Sequence, residues 1–196
     1  MPAFRITVDD AVIATVDTTG MAMIDVCLFS RRTWQERAML DMAGLPADAV
    51  PGTPASLYFI SSYALTAGQR VKVELLAAGA TSPAGKTADE LYPDEPPATT
   101  TDFSLTPAMR AAHAAQPLFH DSFEFAFTAS TGTTAAATSP AGHEALSLTI
   151  LWPFLDQNEA SIRVASNQAF PTAVSPGTDY VREKLRVGGS LTYTVG

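Results

Sequence analysis

The side chains best suited to acid–base chemistry in this 196-residue chain are its three histidines: His113, His120 and His143. His120 precedes Asp121, and a histidine beside a carboxylate is a common arrangement for a general base and its orienting group. Consecutive residues of a strand point to opposite faces, however, so we expect neither this pair nor His143-Glu144 to form such a unit. The sequence therefore predicts no catalytic residue, with His120, Asp121 and His143 as the candidates if the protein is an enzyme.

The histidines and the single cysteine do not have the spacing of a metal site. No two histidines are three or four residues apart, and Cys27 has no second cysteine with which to complete a zinc site. Cys27 lies in the apolar run MIDVCLF, where we expect it to be a small core residue. The acidic residues between 89 and 102 do not have the spacing of an EF-hand loop. We predict no metal and no cofactor.

The segment GATSPAGKT, residues 79–87, comes closest to a nucleotide-binding motif. A phosphate-binding loop has the pattern G-x4-G-K-[ST], because its backbone amides must surround the phosphates. Here five residues separate Gly79 from Gly85, and Pro83 removes one amide donor. Prolines also interrupt the helix that should follow and that would help to bind an anion. We predict an exposed loop here.

The composition favours one folded domain over residues 1–196. Hydrophobic residues make up 46% of the chain and the mean hydropathy is +0.10, which is sufficient for a core. Charged residues make up only 16%, below the quarter that is typical of soluble domains. Weakly charged surfaces resist association less, so we predict a homo-oligomer.

The charge of the chain argues against two classes of partner. A net charge of −8 and a pI near 4.7 disfavour nucleic acid and anionic membranes, because both are negatively charged. The sequence contains no apolar run of membrane-spanning length and begins without the pattern of a secretion signal. We predict no membrane span and a cytoplasmic location.

The clearest structural signal is a hairpin within residues 144–166. Leu146, Leu148, Ile150, Trp152 and Phe154 alternate with the residues between them, which places these five on one face of a strand. Polar residues at 156–159 then suggest a turn, and the alternation resumes afterwards. Burial of these side chains requires a second layer of structure.

The rest of the chain predicts more strands of this kind. We predict them at 4–16, 23–30, 55–64, 71–77, 123–127, 180–187 and 191–195. We expect 4–16 to be one bent strand, since Asp9-Asp10 contains no glycine; two short strands with a turn there are the alternative. Gly188-Gly189 predicts a hairpin between the last two strands.

Two short helices and two long connections complete the prediction. A capping box at Thr33 and Glu36 predicts a helix over 34–43, and Thr106-Pro107 predicts another over 108–116. Residues 79–104 are rich in proline, threonine and acids, and residues 130–142 are a low-complexity connector.

Consecutive strands without a βαβ rhythm indicate a mainly β fold, which we predict to be an antiparallel β-sandwich of Greek-key or jelly-roll type with about eight or nine strands. A closed β-barrel is the alternative.

Three functions fit this architecture. The first is a non-enzymatic structural or binding protein that acts by self-assembly, or through a protein partner that contacts the loop at 79–104. The second is a binder of a small apolar ligand, whose site would be lined by the large aromatic residues Trp34, Tyr58, Phe59, Tyr63, Phe103, Phe119 and Trp152. The third is an enzyme with a histidine–aspartate site.

Overall fold

The computed structural model describes residues 1–50, 56–95, 106–168 and 177–196. Within these ranges the chain forms twelve strands and two short helices. The strands are β1 (Ala3–Val8), β2 (Ala11–Asp17), β3 (Met21–Arg31), β4 (Ala38–Pro46), β5 (Leu57–Leu65), β6 (Arg70–Leu76), β7 (Glu124–Ala129), β8 (Thr134–Thr138), β9 (Ala145–Pro153), β10 (Glu159–Asn167), β11 (Thr178–Arg186) and β12 (Ser190–Val195). The helices are α1 (Ala88–Leu91) and α2 (Pro107–Ala114).

The strands form two antiparallel sheets of six strands each. The first sheet has the order β2-β1-β6-β12-β7-β8, and the second has the order β11-β10-β9-β3-β4-β5. At the two sides of the molecule, β2 lies against β5 and β8 lies against β11. The predicted antiparallel β-sandwich with two short helices is therefore confirmed, and neither sheet closes into the alternative barrel.

The core fills the space between the sheets. Its largest fully buried side chains are Trp152, Phe4 and Phe127. The alternation predicted for the central hairpin is confirmed as far as Trp152, because Leu148, Ile150 and Trp152 of β9 are all 0% exposed. It was wrong for Phe154, which lies beyond the end of β9 and is 47% exposed. Full burial of such a side chain contributes roughly 1.5–3 kcal/mol, so this one strand is a large part of the stability.

The prediction of a single strand over 4–16 was wrong, because β1 and β2 form a hairpin that turns at Asp9-Asp10. Both residues have positive φ angles, 46° and 71°. Aspartate tolerates this region better than most residues. Asp9 also accepts hydrogen bonds from the Arg70 backbone N–H and from Gln69 Nε2, both at 2.9 Å, and these fix the turn.

The prediction of a helix over 34–43 was also wrong. Residues 32–37 form turns, and β4 begins at Ala38. Ala38, Leu40 and Met42 alternate into the core and are at most 1% exposed. Pairing with β3 and β5 therefore prevails over the local capping signal at Thr33 and Glu36. The second predicted helix, over 108–116, is confirmed as α2.

Residues 130–142 were wrongly predicted to be only a connector. They contain β8, which pairs with β7 after a turn in which Gly132 has a φ of 94°. Ala135 and Ala137 pack against the core. Small side chains satisfy the inward positions of this edge strand, so the sequence has no strong apolar alternation there.

The prediction of a hairpin at Gly188-Gly189 was wrong. β11 belongs to the second sheet and β12 to the first, so the chain crosses between the sheets at these glycines. Gly188 has a φ of 85°, donates its N–H to Leu75 O at 2.7 Å and is followed by Gly189, whose carbonyl accepts from Leu75 N at 3.1 Å. The crossing is thus attached to β6.

Candidate functional site

His120 lies between α2 and β7, with hydrogen bonds at both ring nitrogens. Its Nδ1 is 3.0 Å from Arg37 Nη1, and its Nε2 is 3.2 Å from the carbonyl oxygen of Glu36. A guanidinium can only donate and a carbonyl can only accept, so the ring carries its proton on Nε2. This arrangement ties the 32–37 turn to the chain after α2 and leaves neither nitrogen for a substrate.

Asp121 does not act with His120. Its side chain is fully exposed, and one carboxylate oxygen is 3.9 Å from Arg32 Nη2. An ion pair with so exposed a partner contributes little to stability. The structure therefore does not bring His120 and Asp121 together as a base and its orienting carboxylate.

His143 takes part in a buried hydrogen-bonded chain that the sequence did not reveal. Its Nδ1 is 2.7 Å from Ser166 Oγ, which is 2.9 Å from the Tyr180 hydroxyl. A serine beside a histidine is the arrangement of a nucleophile and its base. Ser166 is 0% exposed and His143 is 8% exposed, however, so no substrate reaches the hydroxyl. These hydrogen bonds satisfy polar groups in the interior and join β10 to β11.

The third histidine lies in a surface cleft. His113, near the end of α2, places its Nε2 3.5 Å from Oε1 of the mostly buried Glu144. The cleft also has Arg31, Thr33, Trp34 and Gln116 on its walls and a volume of about 390 Å³. We call it the Arg31 cleft.

Local sequence patterns position each wall of the Arg31 cleft. Thr106 accepts a hydrogen bond from Met109 N and starts α2, which carries His113 on its last turn. Arg31 ends β3 and Trp34 lies in the turn that follows, and Arg31 Cζ lies 5.2 Å from the centre of the Trp34 ring. Sequence reasoning missed this site because Glu144 is far from both walls along the chain, and no local motif connects them.

The GATSPAGKT segment has a structural role in the described chain. Ser82 and Thr15 exchange backbone hydrogen bonds at 2.8 Å on the outer side of β2. Lys86 and Tyr58 do the same for β5, at 2.9 and 2.7 Å. The segment therefore spans one side of the sandwich and covers an edge strand of each sheet.

The glycines of this segment are explained by close packing. A Cβ on Gly79 would lie 2.8 Å from Ala3 Cβ, and one on Gly85 would lie 2.9 Å from Leu57 Cβ. No phosphate is needed to explain them. The helix that follows, α1, has a complete capping box between Thr87 and Glu90, so the carboxylate of Glu90 already bonds the amide at its start.

Cys27 is buried on the outer side of β3 and is a poor nucleophile. Burial, with a smaller contribution from Asp25, raises the pKa of its thiol to about 12. Only a thiolate reacts readily, so the sulfur is inert near neutral pH. Its S–H is 3.5 Å from Asp25 Oδ2 and acts as a weak donor to that carboxylate.

The four edge strands differ in how they are protected. β2 and β5 are covered by the GATSPAGKT segment. β11 carries a dense set of charges, including Arg182, Lys184 and Arg186, which pair with Asp179 and Glu159. β8 has the sequence TAAAT, with neither charge nor cover among the described residues. Charges and covering segments are the usual means by which proteins prevent edge pairing, and β8 has neither of them.

Two kinds of feature are absent from the described ranges. No group of three or more histidine, cysteine, aspartate or glutamate side chains is arranged to hold a metal ion. No helix in these ranges has both the length and the apolar character that crossing a membrane requires.

The aromatic residues do not converge on one apolar cavity within the described part of the chain. Trp152 and Phe59 are core residues, whereas Phe119 is 45% exposed at the end of the molecule that carries α2. Phe103 lies outside the described residues.

Comparison of the chain with protein-family models, with curated proteins and with solved structures gives no match in any of the three.

Proposed function

We propose that this is a non-enzymatic structural protein that self-assembles by pairing β8 with β8 of a second copy. The observation that carries the proposal is the edge of β8, the one described edge strand that has neither a covering segment nor charged side chains. Antiparallel pairing of two such edges would join two six-stranded sheets into one.

The hydrogen-bond register defines which groups of β8 point outward. Ser139 N donates to Phe123 O and Ala129 N donates to Thr133 O, both at 2.8 Å. In an antiparallel pair such bonds recur at every second residue, so 135 and 137 bond to β7. The N–H and C=O groups of Thr134, Ala136 and Thr138 therefore point away from the sheet, as a second strand requires.

The composition around β8 favours contact between identical copies. The protein carries a net charge of −8, so most surfaces of two copies repel each other. No lysine, arginine, aspartate or glutamate occurs from 125 to 143. The exposed side chains on β8 are threonine and alanine, which allow two backbones to approach closely.

The other two functions have less support. Large side chains such as Trp152 and Phe4 occupy the space between the sheets, where an apolar ligand would have to bind. The enzyme would have His120, Asp121 or His143 in its site. His120 has partners at both ring nitrogens, Asp121 lies beside Arg32, and His143 is buried against Ser166. The 79–104 loop could also contact a protein partner. Its first part, 79–87, already covers two edge strands, so a partner would contact the remainder, of which 96–104 lie outside the described residues.

We also propose a cytoplasmic location, consistent with the single cysteine and hence no intramolecular disulfide.

Sedimentation velocity with substitutions at the β8 edge tests the proposal. We expect the unmodified protein to form dimers or larger species, and Ala136→Lys to shift it to monomer by placing like charges at the paired edge. Ala136→Pro should act in the same way, because it removes an outward N–H that β7 does not use.

Ala126→Lys is the matched control. Ala126 is exposed on β7 directly beside Ala136, so the same charge is placed on the same face one strand inward. This variant should still associate. A monomeric unmodified protein at high concentration, or equal loss of association in both lysine variants, would contradict pairing through β8.

A further inference from the structure

We propose that the Arg31 cleft binds a carboxylate group, with the Arg31 guanidinium as its main contact. The proposal does not depend on self-assembly through β8, because no residue of that strand lines the cleft. It rests on the state of Arg31, on the charges around it and on the shape of the cleft.

Arg31 differs from most other arginines of the described chain in having no carboxylate partner there. Six others lie within ion-pair distance of an aspartate or glutamate: Arg5, Arg32, Arg70, Arg163, Arg182 and Arg186. Arg31 instead lies over the Trp34 ring at 5.2 Å. A cation–π contact of this kind leaves the N–H donors of the guanidinium without a carboxylate acceptor in the described chain, and a ligand carboxylate can accept two of them at once.

The surroundings of Arg31 are unusually basic for an acidic protein. Arg31, Arg32 and Arg37 fall within seven consecutive residues, in a chain with twelve lysines and arginines and a net charge of −8. Arg32 and Arg37 are engaged with the 120–121 segment. Arg31 is therefore the cation of this turn that faces the cleft.

His113 and Glu144 restrict the ligand to one of low charge. The Glu144 carboxylate is 14% exposed and lies behind the imidazole, 3.5 Å from Nε2. Its Oε1 makes no hydrogen bond within the described chain, so this oxygen and the imidazole are close neighbours without being hydrogen-bonded. A second negative charge on a ligand would be repelled, which favours a monoanionic carboxylate over a phosphate dianion.

The cleft also provides the right size and neutral polar groups. Its volume of about 390 Å³ lies in the lower part of the range for small-ligand sites. Thr33 and Gln116 add a hydroxyl and an amide on opposite walls. Such a cleft accommodates a small organic acid, or the side chain of an aspartate or glutamate from an acidic peptide.

Tryptophan fluorescence and calorimetry with defined probes test the site. Trp152 is 0% exposed, so a change in fluorescence on adding a probe reports Trp34 and should disappear in Trp34→Phe. The probes are phenylacetate, a peptide of residues 40–46 (LDMAGLP) blocked at both ends so that it carries one carboxylate, phenylacetamide and inorganic phosphate. We expect a carboxylate probe to bind, and phenylacetamide and phosphate to bind at least tenfold more weakly.

Substitutions of Arg31 identify the contact. Arg31→Gln should weaken binding of the carboxylate probe at least tenfold. The affinity of Arg31→Lys should lie between those of the unmodified protein and Arg31→Gln, because lysine keeps the charge but lacks the planar guanidinium group. Arg70→Gln, which changes an exposed arginine of β6, is the matched control and should bind as the unmodified protein does.

The relative affinities of the two carboxylate probes distinguish the sources of the ligand. Tighter binding of phenylacetate indicates a free organic acid, and tighter binding of the peptide indicates an acidic protein segment. The proposal is overturned if no carboxylate probe binds at millimolar concentration, if phosphate binds as tightly, or if Arg31→Gln and Arg70→Gln behave alike.

Discussion

The carboxyl group of Asp25 lies where a negative charge is unfavourable. It is on the outer side of β3, in the central part of the second sheet, close to the buried thiol of Cys27. Burial raises the pKa of this carboxyl above its ordinary value of 3.8, and the nearby charge of Asp41 adds to the effect. The folded protein thus binds a proton at Asp25 more readily than the unfolded chain does.

Stability should therefore depend on pH through Asp25 in a definite direction. Because the pKa of Asp25 is raised in the folded protein, ionisation of this carboxyl lowers the free energy of unfolding at neutral pH. This destabilisation disappears as the pH falls through the raised pKa towards 3.8, where the carboxyl is protonated in both states. We predict that Asp25→Asn raises the free energy of unfolding at pH 7, and that its advantage over the unmodified protein shrinks by pH 4. Urea unfolding at both pH values measures this difference.

Asp48→Asn is the matched control for Asp25→Asn. Asp48 is exposed in the turn after β4, so its replacement should change the free energy of unfolding by less than about 0.5 kcal/mol. An advantage of Asp25→Asn that is the same at pH 7 and pH 4 would contradict the role assigned to burial. The comparison is made with the unmodified protein because Glu74 and Asp179, whose pKa values are lowered by arginine partners, weaken the fold on their own as pH falls.

Single residues also show the limits of rules for turns. The rule that a two-residue hairpin needs glycine failed at Asp9-Asp10, where hydrogen bonds to residues 69 and 70 stabilise the positive φ angles. The glycine rule also failed at 188–189. The positive φ of Gly188 serves a crossing between the two sheets there, and not a hairpin. A sequence indicates where the backbone turns; the partner strand is set by contacts from distant residues.

At the scale of elements, the GATSPAGKT segment is the most specialised part of the described chain. It bonds to β2 through Ser82 and to β5 through Lys86, so it is held at both sheets. Gly85 approaches β5 so closely that a Cβ would meet Leu57 Cβ and Phe59 Cε1 at 2.9 Å. Its φ is not in the left-handed region, so space alone demands glycine there.

We predict that Gly85→Ala destabilises the protein by roughly 1–3 kcal/mol, the usual cost of overpacking. Thermal unfolding followed by circular dichroism measures it. Ala84→Ser, an exposed neighbour in the same segment, is the control and should change stability by less than about 0.5 kcal/mol. Equal stability of Gly85→Ala and the unmodified protein would show that the segment can move away from β5.

A strand was predicted correctly where its inward-facing residues are large and apolar, and was missed where they are small. β9 was predicted well because four large residues alternate in it. β8 was missed because its inward residues, Ala135 and Ala137, are too small to give a pattern. β4 was predicted as a helix because Thr33 and Glu36 have capping-box spacing, although the alternation of Ala38, Leu40 and Met42 was already present in the sequence.

At the scale of the whole molecule, the two sheets are one folding unit. They share a single core, and the chain passes from one sheet to the other four times: between β2 and β3, β5 and β6, β8 and β9, and β11 and β12. Neither sheet can bury its apolar face without the other. The sequence predicted this two-layer architecture because the alternating strands required it, but the strand order depends on contacts between distant residues that no local pattern records.

We predict a single cooperative unfolding transition for both sheets. Val73→Ala in β6 and Leu148→Ala in β9 remove fully buried side-chain atoms from opposite sheets. Leu148→Ala should cost about 2–5 kcal/mol and Val73→Ala somewhat less. In both variants the tryptophan fluorescence and the far-ultraviolet circular dichroism should change at the same urea concentration.

Two transitions, or a midpoint that differs between the probes in either variant, would contradict one shared core. Ser161→Ala, at an exposed position of β10, is the control and should leave the midpoint nearly unchanged.

The crossing at Gly188-Gly189 has a consequence for the order of events during synthesis. It delivers β12 into the middle of the first sheet, between β6 and β7, although β12 is made more than sixty residues after β7 begins. Until residue 195 has left the ribosome, β1, β2 and β6 remain separated from β7 and β8 by an empty position. Before β12 is made, β6 and β7 therefore lack their native partner, and unpaired strands of this kind are what chaperones bind.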